Sequence, residues 1–215
     1  MIPAAEALAR LKEGNRRFAF NVRAPERPLD HDRRAELAKS QEPFAIILGC
    51  SDSRVPAELV FDQGLGDLFV IRVAGNIVAP SQVGSIEFAA SRFDVRLVVV
   101  MGHTKCGAIA ATIDELRQPA EKQSRNLRSI VDRVRPWVQT LMETPLRHDD
   151  EALLAHSVRA NVRASVNHLK HASEILEDLI DHHGLLVVGA EYCLESGIVE
   201  FLDEDQSTPR RGMRE

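Results

Sequence analysis

Cysteine is scarce in this chain, with three residues among 215, so disulfide bridges cannot form its framework. Long apolar runs are also missing, because no stretch approaches the ~20 residues that a membrane-spanning helix needs. The N-terminus, from Met1 to Glu6, lacks a basic start followed by an apolar run, and we therefore expect no signal peptide. Few and reduced thiols suit the cytoplasm, which is the predicted location, and no membrane partner is expected.

An excess of basic residues is missing as well. The chain has 27 Lys and Arg against 32 Asp and Glu, with a formal net charge of −5. The basic residues are scattered rather than grouped, which argues against nucleic acid as a partner. The length is sufficient for a full hydrophobic core, and we predict a single domain over residues 1–215.

Short apolar runs alternate with stretches of helical periodicity along the chain. This alternation predicts an α/β fold with a mainly parallel β-sheet, flanking helices and an N-terminal helical arm over residues 1–40. A short antiparallel strand is expected at 198–202, after a turn, and the tail over 203–215 is expected to be loose. The predicted strands are 44–48, 68–73, 97–101 and 185–188. The predicted helices are 4–18, 33–40, 56–61, 81–93, 106–116, 123–142 and 151–183, and a loop is expected at 20–32.

Polar side chains with metal-binding chemistry follow two of the predicted strands. Cys50 and Asp52 follow the first, and because residues two apart in extended chain point the same way, both can face one metal ion. His103 and Cys106 follow the third strand, and Cys106 opens a helix whose N-terminus favours a thiolate. Two Cys and one His form a typical catalytic zinc set, which leaves the fourth tetrahedral position to water.

Other interpretations of these residues remain open at this point. Cys50 and Cys106 can be small buried hydrophobic side chains, or can belong to a purely structural zinc site. Asp52 can either close the site as a fourth ligand or stand back and handle a proton. Arg54 can pair with Asp52 through two parallel hydrogen bonds and so hold it off the metal, or the two can form an ordinary surface ion pair.

Five sequence motifs contain or surround these residues. They are Cys50-Ser51-Asp52-Ser53-Arg54-Val55-Pro56, Asp67-Leu68-Phe69-Val70, Arg72-Val73-Ala74-Gly75-Asn76, Gly84-Ser85-Ile86-Glu87 and Gly102-His103-Thr104-Lys105-Cys106-Gly107. These motifs resemble those of the β-class carbonic anhydrases, and the similarity runs from about residue 5 to 202. The resemblance implies that Cys50, His103 and Cys106 bind one zinc ion per subunit and that Asp52 and Arg54 form a catalytic gating pair. It implies reversible hydration of carbon dioxide to bicarbonate and a proton, in a homodimer or a dimer of dimers whose N-terminal helices embrace a partner.

The resemblance also implies a set of substrate-binding residues. Members of one style have Gln nine residues before the first zinc-binding Cys, where Gln41 stands, and members of the other have Trp where Ile47 stands. The sequence therefore matches the first style, in which Gln41 and the Gly107 N–H hold the substrate and Phe69, with Phe88 of the other subunit, forms an apolar wall. Without the resemblance, Gln41 would be interpreted as a loop residue and the two Phe as core.

The sequence departs from the family pattern at several positions. Phe88 and Arg92 stand where plant-type members often have Tyr and His, so the proposed proton-shuttle His is missing. Cys193 lies in a stretch that is usually acidic and is expected to be an inert buried thiol. His168 and His171 are expected at the surface or an interface.

Two other functions compete with carbon dioxide hydration as interpretations of this sequence. The first is a hydrolase of the same fold acting on carbonyl sulfide or carbon disulfide, which differs only in pocket access. The second is a zinc-containing bicarbonate sensor without turnover. The Asp52–Arg54 pair argues against the sensor, because a protein that only binds bicarbonate needs no gate.

Overall fold

The computed structural model describes residues 2–22, 31–118, 124–171 and 173–202. Its centre is a five-stranded sheet in the order β2-β1-β3-β4-β5. The first four strands are parallel and β5 is antiparallel to β4, which confirms the predicted fold class. The strands are β1 (Ala45–Gly49), β2 (Leu68–Arg72), β3 (Leu97–His103), β4 (Leu186–Tyr192) and β5 (Val199–Leu202).

Helices connect and flank the strands. Two short 3₁₀ turns, Ala74–Asn76 and Pro145–His148, were not predicted. The helix expected over 151–183 is two helices, because Ser173 caps a new start by accepting a hydrogen bond from the Leu176 N–H at 3.2 Å. The helices are α1 (Ala4–Ala19), α2 (His31–Leu37), α3 (Ala57–Val60), α4 (Pro80–Arg92), α5 (Gly107–Arg117), α6 (Arg125–Met142), α7 (Asp150–Lys170) and α8 (Glu174–His182).

Two predicted segments fall outside the part of the chain that the structure describes. They are most of the loop expected at 20–32 and the tail at 203–215. Within the described ranges, no helix is long and apolar enough to cross a bilayer.

Both faces of the sheet are buried, as expected for parallel strands covered by crossover helices. Ile47 and Val99 face one side, where α1 and α3 pack, and belong to the cluster that contains Leu11. Ile46 and Val98 face the other side, together with side chains of α4, α7 and α8. The alternation along each strand therefore divides the core into two layers.

Helix α7 approaches the sheet closely at two glycines. A Cβ atom at Gly102 would lie 2.6 Å from Cγ2 of Val162, and one at Gly189 would lie 2.8 Å from Cγ1 of the same residue. Val162 itself is fully buried. These glycines are needed because any side chain there would push α7 away from β3 and β4.

The N-terminal helix packs on its own chain rather than projecting as a free arm. Leu11 is fully buried, and the Oδ1 atom of Asn15 accepts a hydrogen bond from the Val199 N–H at 2.8 Å. Two apolar side chains at the end of α1 stay largely exposed, Phe20 at 67% and Val22 at 60%. The end of this helix therefore offers apolar surface to another molecule.

Candidate metal centre

The parallel sheet brings three metal-binding side chains to one edge. Cys50 follows β1, His103 is the last residue of the adjacent β3, and Cys106 directly precedes α5. One ligand atom from each residue lies within 4.8 Å of the others, and the two sulfur atoms are 3.9 Å apart. All three residues are buried. The carboxyl ends of the strands thus hold the site, as open α/β sheets usually arrange it.

His103 presents one ring nitrogen to this cluster. Its Nδ1 atom lies 2.9 Å from the Thr104 carbonyl oxygen, which can only accept, so Nδ1 carries the proton. The Nε2 atom therefore holds a free lone pair, and it is buried with no hydrogen-bond partner among the described residues. A buried, unpartnered imidazole nitrogen beside two thiols fits a metal ion, and two sulfurs with one nitrogen fit zinc.

The two thiols differ in acidity because they share a hydrogen bond. The bond from Cys106 lowers the pKa of Cys50, helped by His103 and the Gly75 N–H and opposed by burial. The same interaction, together with burial, raises the pKa of Cys106. The sequence predicted that the start of α5 favours a Cys106 thiolate. The amides of Ala108 and Ile109 do act in that direction, but the bond to Cys50 outweighs them.

Burial is the largest influence on the pKa of His103, and it disfavours the charged ring. The neighbouring Cys50 sulfur and its negative charge act in the opposite direction, and the net pKa is raised. Negative charge at Cys50 therefore attracts positive charge to this cluster. A divalent cation among these atoms would take over the role of that positive charge.

Asp52 lies beside the cluster in a paired state. Arg54 donates to both carboxylate oxygens, from Nε at 2.9 Å and from Nη2 at 2.7 Å, and its backbone N–H adds a third bond at 3.0 Å. These hydrogen bonds from Arg54 hold the pKa of Asp52 well below its usual range. The Oδ2 atom of Asp52 remains 3.9 Å from Nε2 of His103, so the carboxylate borders the cluster while bound to Arg54.

Arg72 supports this loop in a way that the sequence analysis missed. Its Nε donates to the Cys50 carbonyl at 2.9 Å and its Nη2 to the Asp52 carbonyl at 2.5 Å. The residue ends β2 opposite Gly49, so the guanidinium lies directly beside the loop that follows β1. Arg72 belongs to the motif Arg72-Val73-Ala74-Gly75-Asn76, but the motif does not indicate which backbone groups the side chain binds.

The predicted substrate-binding residues occupy several places. Gln41 is exposed in the segment before β1, and Gly107 is the first residue of α5, where its N–H is not used by the helix. A Cβ atom at Gly107 would meet no other described atom within 4 Å, so the space beside it is open. The rings of Phe69 and Phe88 lie 6.2 Å apart within one chain, and 53% of Phe88 is exposed. That Phe88 serves the site of a second subunit stays a prediction.

The positions that depart from the family pattern are mostly at the surface. Arg92 ends α4 and is exposed, and His168 and His171 are exposed as expected. Cys193 was expected to be buried, and this was wrong. It is half-buried, and a hydrogen bond with the Ser196 side chain lowers its pKa.

Comparisons with known proteins agree with this geometry. The sequence model of the carbonic anhydrase family matches residues 45–199. Carbonic anhydrase 2 of Mycobacterium tuberculosis is 40% identical over 188 residues, which cover 87% of each chain. The carbonic anhydrase of Mycolicibacterium smegmatis is 39% identical over 191 residues, covering 88% of this chain and 89% of that one.

A solved structure also resembles this chain. It comes from work on two tetrameric β-carbonic anhydrases of the ascomycete Sordaria macrospora, with a TM-score of 0.70 and 25% identity. The match covers 79% of this chain and 85% of the other. The family model spans most of the sheet and all of the donor cluster. By sequence and by fold, the chain belongs to the β-carbonic anhydrase family.

Proposed function

We propose that this protein catalyses the reversible hydration of carbon dioxide to bicarbonate and a proton, with one zinc ion per subunit. The observation that supports this most strongly is the buried donor cluster of Cys50, His103 and Cys106, in which the Nε2 atom of His103 has no partner among the described residues. The paired carboxylate of Asp52 beside this cluster supports a reaction rather than a purely structural metal.

In this proposal Cys50, His103 and Cys106 hold the zinc ion. Zinc bound there supplies a Lewis acid that makes water a nucleophile near neutral pH. Cys50 and Cys106 would both be thiolates, because metal ligands must be deprotonated. Two thiolates cancel the formal charge of the ion, so we expect activity at more alkaline pH than a site with three neutral imidazoles would show.

Asp52 orients the attacking water. Because Arg54 binds both of its oxygens, the carboxylate is held off the donor cluster in the open state of the gate, and its lowered pKa keeps it ionised at neutral pH. A fixed and charged acceptor takes a hydrogen bond from the water and directs its lone pair at the carbon atom of the substrate. Arg54 therefore acts by positioning Asp52, with which it forms the proposed gate.

In this proposal a main-chain N–H at the start of α5 and side chains from outside the donor cluster hold the substrate. The N–H of Gly107, at the positive end of α5, donates to a substrate oxygen, and the amide of Gln41 holds the same oxygen. Phe69 and Phe88 supply an apolar wall for a nonpolar substrate. The His that is proposed to shuttle protons is missing, because Phe88 and Arg92 stand where plant-type members often have Tyr and His, so we expect proton export to depend on external buffer.

We also propose that the protein assembles as a homodimer or a dimer of dimers and works in the cytoplasm. The exposed apolar side chains of Phe20 and Phe88 support assembly, as does the tetrameric state of the Sordaria enzymes. Phe20→Asp should weaken the assembly in sedimentation velocity, whereas Leu127→Asp, at an exposed apolar side chain of α6, should not. Equal dissociation of both variants would contradict a role for the end of α1.

A stopped-flow assay of carbon dioxide hydration on the zinc-loaded protein tests the proposed reaction. We expect turnover that rises from neutral to alkaline pH and that increases with buffer concentration. The same preparation should release no sulfide from carbonyl sulfide or carbon disulfide faster than buffer does. Zinc-loaded protein without hydration activity would refute the proposal. Sulfide release in its place would indicate a hydrolase of the same fold.

A further inference from the structure

Helix α7 carries a buried polar stripe toward the metal centre. Ser157, Asn161 and Ser165 recur every four residues, so they lie on one face of the helix, and they are only 0%, 2% and 6% exposed. The turn Ala74–Asn76, which follows β2, packs against this face. Polar side chains buried this deeply need partners, and two of the three find them in the turn.

A continuous chain of hydrogen bonds links Asn161 to a proposed metal ligand. The Nδ2 atom of Asn161 donates to the Gly75 carbonyl at 2.8 Å, and the N–H of the same glycine donates to Sγ of Cys50 at 3.4 Å. Ser165 donates to the next carbonyl, that of Asn76, at 3.3 Å. By contrast, the hydroxyl of Ser157 has no hydrogen-bond partner among the described residues.

The turn adopts a conformation that needs external support. Gly75 has φ +69° and Asn76 has φ +41°, both in the left-handed region. A Cβ atom at Gly75 would lie 3.2 Å from Cβ of Ala108, next to the start of α5, so the backbone there is closely confined. The backbone orientation of Gly75 decides whether its N–H points at the Cys50 sulfur. Asn161 binds the carbonyl group of the same glycine.

We propose that Asn161 is a positioning residue for the metal centre. By holding the Gly75 carbonyl, it aims the Gly75 N–H at the Cys50 sulfur, which fixes the direction of that ligand. Hydrogen bonds of this outer shell tune metal affinity, and their loss typically costs about 10–100-fold. This inference rests on the proposed metal site.

Cadmium-113 substitution tests the inference directly, because the cadmium nucleus couples to amide protons that are hydrogen-bonded to its sulfur ligands. In wild-type protein loaded with cadmium, we expect a coupling between cadmium and the Gly75 amide proton. Asn161→Leu keeps a similarly branched side chain but removes the donor. It should abolish this coupling and weaken zinc binding, measured by chelator competition, at least 10-fold.

Ser157→Ala is the matched control, on the same buried face one turn earlier. It removes a hydroxyl without a partner, so both the coupling and zinc affinity should stay at wild-type values. If Asn161→Leu does not fold, Asn161→Ser is the replacement variant, since its shorter side chain also loses the reach to Gly75. An Asn161 variant that is less heat-stable but keeps the coupling and the affinity would show a merely structural role and overturn the inference.

The wild-type protein alone separates the two proposals. If it binds no cadmium at Cys50, the proposed metal site fails, whatever the role of Asn161. If it binds cadmium at Cys50 but the Gly75 amide shows no coupling, the metal site stands and the inference about Asn161 is wrong.

Discussion

Gly102 is the position where a single methyl group should disturb both the core and the metal centre. A Cβ atom there would lie 2.6 Å from Cγ2 of Val162, which is shorter than a van der Waals contact between two carbon atoms. Val162 cannot turn away, because its χ1 angle is restricted in a helix and its other methyl lies against Gly189. Carbon atoms pack at about 3.5–4.0 Å, so Gly102→Ala must push α7 outward by about 1 Å.

The expected magnitude follows from this displacement. Overpacking of a core typically costs about 1–3 kcal/mol. For a chain of this size each kcal/mol lowers the melting temperature by about 2–4 °C, which gives a decrease of about 2–12 °C. Asn161 moves with α7, so its 2.8 Å hydrogen bond to the Gly75 carbonyl would lengthen by about 1 Å. That distance is beyond the range of a hydrogen bond. Zinc affinity should therefore fall together with stability.

Differential scanning calorimetry on the zinc-free protein, with zinc affinity measured in parallel, checks this prediction. Val162→Ala alone should cost about 2 kcal/mol, because it removes two buried methyl groups. In the double variant the new methyl fills part of that space, so the combined loss should be clearly smaller than the sum of the two single losses. An unchanged melting temperature for Gly102→Ala, or strictly additive losses, would refute the reasoning about α7.

Three further predictions concern the gate. Arg54→Ala should keep zinc but lose activity at pH 7 on the order of 10²-fold, since Asp52 loses its orientation. If the hydration rate and the absorption spectrum of the cobalt-substituted protein were both unchanged, Arg54 would be only a structural cation. In the pH–rate profile, Asp52→Asn should lower the plateau at alkaline pH without moving the midpoint of the rise, because the lowered pKa of Asp52 keeps this carboxylate ionised throughout the rise. A shifted midpoint would argue against this. The depressed pKa also means that Asp52 contributes stability above its unfolded pKa of about 3.9, and that this contribution is lost as pH falls toward its folded value. The difference in melting temperature between wild type and Asp52→Asn should therefore close below about pH 4, and a constant difference would contradict the pairing.

Much of the fold was predictable from the sequence because parallel strands are short apolar runs. The strands around Ile47 and Val99 were found to within two residues at most boundaries. The ends of β3 and β4 were missed, by two and four residues, because the apolar runs are interrupted at Gly102 and Gly189, although the chain stays in the sheet beyond both glycines. The break before α8 was missed as well, because its signal is a single capping residue, Ser173, within a stretch of continuous helical periodicity.

The donor cluster was predictable for a different reason. Cys50 follows β1 and His103 ends β3, and because these strands are parallel neighbours both residues lie at one edge of the sheet. The contacts of the supporting side chains were not predictable. Arg72 and Asn161 bind backbone carbonyl groups, and a sequence pattern does not specify which backbone group a side chain reaches.

Zinc titration of the metal-free protein, with the hydration rate followed at each addition, tests the central claim most directly. We predict that the rate increases in proportion to bound zinc and stops at one ion per chain. Cys106→Ala should bind less than a tenth of the wild-type zinc under the same conditions and show no hydration activity, because two remaining ligands hold zinc poorly. Full zinc content in Cys106→Ala, or hydration activity in wild-type protein without zinc, would contradict the account.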